Sequence, residues 1–381
     1  MKLLGKLAVL AGLALASTAH ADTLKVGVVA PLTGGGAPWG MAAKVGVEIA
    51  ANEVNEKGGL EVGGTTYDVE VISYDDKYAA ADAVAAYNRL VNQDGAKYVV
   101  LVTSAATMAL KQNIEDDDVL ALTASYTIQA LDANSRHMIR LYSPPADYVP
   151  SFVSWMKDNL EERKVVVVNP NDETGWDQTK LFKAEFEKNG FDVVGEELFE
   201  RGQTDFTPML TKIKSMNPQI VEIGGTPPAT AGLIVRQARE LGYEGLFTKM
   251  GGAGPHDIVA AAGKEASEGI INMLYADPAN EGFNTLREKY KATEGHDPNE
   301  IIVSFYDAAN VLFDAIKAGG NVADPEAARA AVAGIMPVKS VQGDDLTLGG
   351  KDRYGVDAQI MSVNYIGEIK DGEPVVIGKT E

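Results

Sequence analysis

The chain has 381 residues, 45% of them hydrophobic, and carries a net charge of −20. That balance repels nucleic-acid phosphates and anionic lipid, and the absence of cysteine excludes thiol catalysis and cysteine metal sites. The length favours two domains over one. Residues 1–21 read as an export signal: Lys2 and Lys6, an apolar run from Leu7 to Ala16, then the small-x-small pattern Ala19-His20-Ala21. Ten apolar residues are too few for a lasting anchor. Cleavage before Asp22 leaves about 360 residues with a charge near −22; an uncleaved tether is the alternative.

The stretch 24–60 organises the rest of the chain. Leu24, Val26, Val28, Val29 and Ala30 suit an interior parallel strand, which Pro31 ends. Gly34-Gly35-Gly36 give a bending loop, and a helical pattern runs from Met41 to Gly58-Gly59. A loop at the carboxyl edge of a parallel sheet is where open α/β folds hold ligands. Free N–H groups at the helix start attract an anion there. Further strands are expected at 67–74, 97–102, 119–122 and 137–142, with helices at 79–92 and from Thr103 through Ile114. Thr103, Ser104, Thr123 and Ser125 recur at strand exits, so they share one rim.

After Ser143-Pro144-Pro145 a second α/β series begins. Strands are expected at 164–168, 191–194, 220–223 and 246–250, and helices at 148–160, 174–189, 207–216 and 229–241. A strand comes next at 269–275, then helices at 283–290, 301–318 and 325–333. Residues 346–355 read as a glycine-rich turn region, and 360–366 and 375–377 as late strands forming a hairpin across Lys370-Asp371-Gly372.

Enzyme signals are poor. The patterns of a nucleophile elbow, a zinc protease helix and a phosphate-binding P-loop are all missing. His137, His256 and His296 are scattered, and Glu115-Asp116-Asp117-Asp118 lacks the alternation of a calcium loop, so no metal or cofactor is implied. Binding signals are better. Trp39, between Pro38 and Gly40, suits either a cleft wall or interior packing. Ser104, Thr107, Ser125 and Thr127 suit ligand contact or helix capping, which are compatible. Asn171-Asp172-Glu173-Thr174-Gly175-Trp176 is the second-lobe counterpart, with Trp176 a ligand cover or a core residue. Gly224 to Pro228 and Gly251 to Pro255 are further rim loops. Tyr275 and Asp277 fit a hinge or a ligand contact.

Ala30-Pro-Leu-Thr-Gly34, Trp39-Gly40, Asn55-Glu-Lys-Gly-Gly-Leu60, Tyr74-Asp75-Asp76, Asp172 to Gly175 and Gly232 to Gly242 together resemble the branched-chain amino-acid-binding family, the type I periplasmic receptors that feed ABC importers. The resemblance implies two doubly wound Rossmann-like α/β lobes joined by three crossings, here placed near 143, 270 and 345. One lobe is then 24–143 plus 270–345 and the other 144–269 plus 346–381. It further implies a periplasmic, monomeric, non-catalytic receptor with a membrane permease as partner, without stable membrane insertion. Ligand sits between the lobes, and closure completes the site. Ser104 and Ala105 match positions that hold a ligand carboxylate by hydroxyl and backbone; Ala124, Ser125 and Tyr126 match the adjoining loop, and Trp39 an aromatic wall. Thr174, Trp176, Thr226, Gly252, Tyr275 and Asp277 complete the expected ligand-binding set.

Amino-acid receptors of this family place an acidic residue in the loop equivalent to Gly251–Pro255, and this chain has none there. An unpaired buried ammonium is costly. Asp277 or Asp205 could replace it. The reading therefore leans to a small carboxylate without an amine, an aromatic acid foremost, since Trp39, Trp176 and tyrosines could wall a ring. A hydrophobic or branched-chain amino acid, or a small amide, is the alternative. An enzyme in the same cleft and a ligand sensor for a membrane kinase are rival classes.

Overall fold

The computed structural model describes residues 22–252 and 254–380. The proposed export signal lies outside the described residues. Two sheets divide the chain. In the first, Asp22–Ala30 lies between Thr65–Asp75 and Tyr98–Leu101, with Leu120–Thr123 and Met138–Arg140 beyond, all parallel. Val26, Val28 and Val29 are fully buried, as a strand covered on both faces requires. In the second, Lys164–Pro170 lies between Asp192–Phe199 and Ile220–Glu222, with Leu246–Lys249 and Ile271–Leu274 beyond, again parallel.

Two helices that cover the first sheet cross closely at a glycine. Ala37–Glu56 crosses Ile302–Gly319, and a Cβ on Gly46 would lie 3.1 Å from Ile302 and 3.3 Å from Phe305. Phe305, Leu312, Phe313 and Ile316 are buried along the later helix. Each such side chain contributes about 1.5–3 kcal/mol. Among the described residues no helix is long and apolar enough to cross a membrane.

The crossings depart from expectation. Ile271–Leu274 pairs with Leu246–Lys249, so the return to the first lobe falls after Leu274, not near 270. Residues 346–355 are not merely a turn: Asp345–Gly349 is a strand beside Gln359–Met361, which pairs with Met138–Arg140 of the first sheet. The last crossing therefore comes after Met361, not at residue 345. The tract expected as one strand at 360–366 is split between the two sheets, because its halves bond to different neighbours. The closing hairpin, Tyr365–Lys370 with Glu373–Lys379, turns through Asp371 and Gly372 at φ 52° and 82°, the left-handed pair that suits a tight hairpin. Leu60–Val62 and the helix Pro255–Ala262 are not expected from the pattern. Pro150 lies inside the helix Pro145–Asn159, which opens with its own proline at the first position.

Candidate ligand-binding site

The carboxyl edges of the two sheets face each other across a cleft. Its first-lobe wall is Trp39, Tyr78, Val102, Ser104, Ala124, Tyr126 and Ile301, with Tyr142 at the first crossing; Thr174 and Gly225 line it from the second lobe. The lobes are in contact. The Gly252 N–H donates to the Tyr126 phenol at 2.7 Å, the Arg201 guanidinium lies 3.7 Å over the Tyr78 ring, and Asn299 donates to Asp257 at 3.0 Å. Thr127 and Asp177 also bond across the boundary.

Ser104 is the first residue of the helix Ser104–Asp116, and Thr103 caps that helix by accepting the Ala106 N–H at 3.0 Å. The Ser104 Oγ accepts both the Ser125 hydroxyl and the Tyr126 N–H, each at 3.1 Å. With its lone pairs used, its own proton is left to donate into the cleft. The N–H groups of Ser104 and Ala105 have no acceptor within the helix. Hydroxyl proton and helix start together make a place for an anionic oxygen. Thr107 and Thr123 share a 2.6 Å bond and serve the scaffold.

The rings form two packed groups. Tyr142 packs edge-on to Tyr126 at 5.9 Å and against Tyr275 at 5.2 Å. Tyr126 and Tyr275 join through their hydroxyls, and burial raises both phenols above their ordinary range. Trp39 stands 6.3 Å from Tyr78. Tyr78 adopts φ 62°, held there by its N–H bond to Asp76 at 2.8 Å, and burial pushes its phenol to about 12. The hydrogen-bonding atoms of Gln178 and the Thr226 hydroxyl are buried without a partner.

The structure sorts the expected residues. Trp39, Ser104, Ala124, Tyr126 and Thr174 line the cleft. Ser125, Gly252 and Tyr275 stand behind that lining, bonded to Ser104 or Tyr126. Ala105 comes directly after Ser104 at the helix start, and Thr226 directly after the lining Gly225. Trp176 is elsewhere: 52% exposed, it bonds Asn171 and faces an outer groove with Thr179 and Lys180. The reason is local. A Cβ on Gly175 would lie 1.8 Å from the Pro170 carbonyl oxygen, so that helix face packs inward and the next residue points out. Asp277, whose carboxylate accepts the Ala279 N–H at 2.9 Å, and Asp205, which accepts the Thr207 N–H at 3.0 Å, are both outside the residues that line the cleft. Sequence reasoning missed Tyr78, two residues beyond the Tyr74-Asp75-Asp76 motif, and Ile301, which a later segment brings in. It also missed Lys249, the charged residue that ends the strand Leu246–Lys249. Lys249 is fully buried, and burial lowers its ammonium to about 7 against the pull of Glu222, Glu300 and Asp257.

The model of the family described as periplasmic binding protein matches residues 23–373. The chain belongs to that family. This periplasmic binding protein is 31% identical over 313 residues to the leucine-, isoleucine-, valine-, threonine- and alanine-binding protein of Pseudomonas aeruginosa, covering 80% of this chain and 81% of the relative. It shares 29% identity over 276 residues with the Leu/Ile/Val-binding protein of Escherichia coli, covering 71% and 73% of the two chains. A leucine-binding protein from Thermotoga maritima superposes with a TM-score of 0.80 at 23% identity, covering 94% of this chain and 99% of that one. A solute-binding protein from R. palustris in complex with benzoate gives a TM-score of 0.80 at 23% identity, with 94% and 96% covered. The two-lobed α/β architecture is thus that of type I receptors. Like them, this periplasmic binding protein is a non-catalytic solute receptor of the periplasm, related to the branched-chain amino-acid receptors of ABC importers.

Proposed function

We propose that the protein captures a small, largely apolar solute bearing a carboxylate and presents it to the permease of an ABC importer. The observation that carries this reading is the Ser104 hydroxyl, its lone pairs occupied and its proton free, at a helix start beside a wall of rings. The carboxylate meets the first lobe. The second lobe then covers the apolar body through Thr174 and Gly225 and excludes water. No bond is made or broken. Solute biases closure only by its preference for the closed form.

Within that class the branched-chain amino acid has the most support, because relatives with 28–31% identity are named for leucine, isoleucine and valine. The sequence by itself leans instead to an aromatic acid, and the relatives reverse that weighting. One observation still favours an amine-free acid as a second reading: among the described residues that line the cleft there is no carboxylate side chain. Titration calorimetry with leucine, isoleucine, valine and benzoate tests both. Tight binding of the aliphatic amino acids alone supports the first. Binding of benzoate alone supports the second, and no binding of any of them overturns the proposal.

A further inference from the structure

Lys249 ends the strand Leu246–Lys249 beneath the second-lobe wall and is fully buried. Its Nζ donates to the carbonyl oxygen of Gly224 at 3.2 Å and to those of Gly251 and Gly252. These carbonyls come from the two glycine loops that top the second sheet on its first-lobe side. The N–H of Gly252 faces the other way and donates to the Tyr126 phenol at 2.7 Å across the lobe boundary. The loop is therefore polarised, with carbonyls turned to the lysine and an N–H turned to the opposite lobe. Nζ also lies 6.0 Å from the centroid of the cleft-lining Trp39 ring. The nearby second-lobe carboxylates are engaged within the protein, and that of Glu300, in the first lobe next to the cleft-lining Ile301, is buried without a side-chain partner and raised by burial to about 8. Glu222 bonds the Thr248 hydroxyl and the Met250 N–H, and Asp257 bonds Asn299.

We infer that Lys249 is a specificity-determining residue that removes the advantage of an amine on the solute. A solute ammonium would need acceptor oxygens at this wall; three carbonyl oxygens there are held by the protein's own ammonium, which leaves only neutral side-chain acceptors such as Gln178 and Thr226 among the described residues. In its protonated form the Lys249 side chain behind Trp39 further favours an oxygen-bearing over an amine-bearing face of the solute. The inference rests on the receptor reading. It is compatible with a bound amino acid, whose carboxylate and side chain would then supply the affinity.

The test compares solutes that differ only by the amine: leucine with 4-methylpentanoate, and phenylalanine with 3-phenylpropanoate, by titration calorimetry on the full mature chain. In the wild type the amine should change affinity by less than about threefold, or weaken it. In Lys249→Met the freed carbonyls should shift the ratio at least tenfold towards the amine-bearing member. Wild-type binding of leucine more than tenfold tighter than 4-methylpentanoate overturns the inference without needing any variant to fold, and leaves the receptor reading standing. An unchanged ratio in a folded Lys249→Met protein also overturns it. Binding of neither pair overturns the receptor reading and this inference with it.

Discussion

Gly252→Ala separates closure from folding. Gly252 adopts φ 53°, and a Cβ there would lie 2.5 Å from Trp39 Cζ2 and 3.2 Å from Lys249 Nζ. The backbone strain of a side chain at positive φ, about 1–2 kcal/mol, acts in open and closed forms alike. The contact with Trp39 does not, because Trp39 belongs to the first lobe and Gly252 to the second. Real side chains do not approach within 2.5 Å, so Trp39 or the loop must shift. Trp39 is 8% exposed and its ring is flanked by Tyr78, which leaves little room. Overpacking of this kind costs about 1–3 kcal/mol, and here it falls on the closed form alone. The dissociation constant of the best-binding solute should rise about 5- to 150-fold by titration calorimetry. The ligand-free melting temperature should fall by only about 2–8 °C, from the strain term. Small-angle scattering with saturating wild-type solute should show a more open particle for the variant. An affinity within twofold of wild type would refute the assignment of Gly252 to the closing surface.

Other parts of the molecule carry three more expected outcomes. Ser104→Ala removes the free hydroxyl proton and should weaken a carboxylate solute by about 1.5–3 kcal/mol, roughly 10- to 150-fold in titration calorimetry, while uncharged solutes show no comparable change. Trp176→Ala should leave solute affinity within twofold, since that ring faces the outer groove, whereas Trp39→Ala should lower it at least tenfold in the same assay. Burial pushes the Asp307 carboxyl from 3.8 up to about 6, although Ser340 and Val341 donate to it at 2.6 and 2.8 Å. The folded state thus keeps a proton that the unfolded chain releases between those pH values, so stability falls as pH rises from about 4 to about 6 and stays lower above. Asp307→Asn should remove about 2 kcal/mol of the wild-type difference between pH 4 and pH 7.5, measured by denaturant unfolding.

The rim is legible in the sequence because chemistry and periodicity coincide there. Thr103, Ser104, Thr123 and Ser125 end parallel strands, and strands that run the same way must bring their ends to one edge. Their hydrogen bonds then fix Ser104 with its proton outward. The hinge is less legible. A short apolar stretch such as Gln359–Met361 looks the same whichever sheet it joins, and only its hydrogen-bond partner in space decides. Trp176 illustrates another limit. Helical spacing shows that residues share a face, and the contact of Gly175 with Pro170 decides which face is inward. Tyr78 takes a left-handed backbone held by a local turn onto the Asp76 side chain two residues earlier, and its place on the cleft wall depends on the packing of Trp39 and Arg201 against its ring, which no local pattern encodes. Lys249 puts a charge at the end of the strand Leu246–Lys249, and that charge is the available signal of a buried cation and its carbonyl ring.

The most direct measurement is native mass spectrometry of the purified protein, then denaturation and identification of the released small molecule. One small solute per chain, with a carboxylate and a largely apolar body, is the expected result. Release of a sugar, a polyamine or another solute without a carboxylate would contradict the account of Ser104 and the cleft.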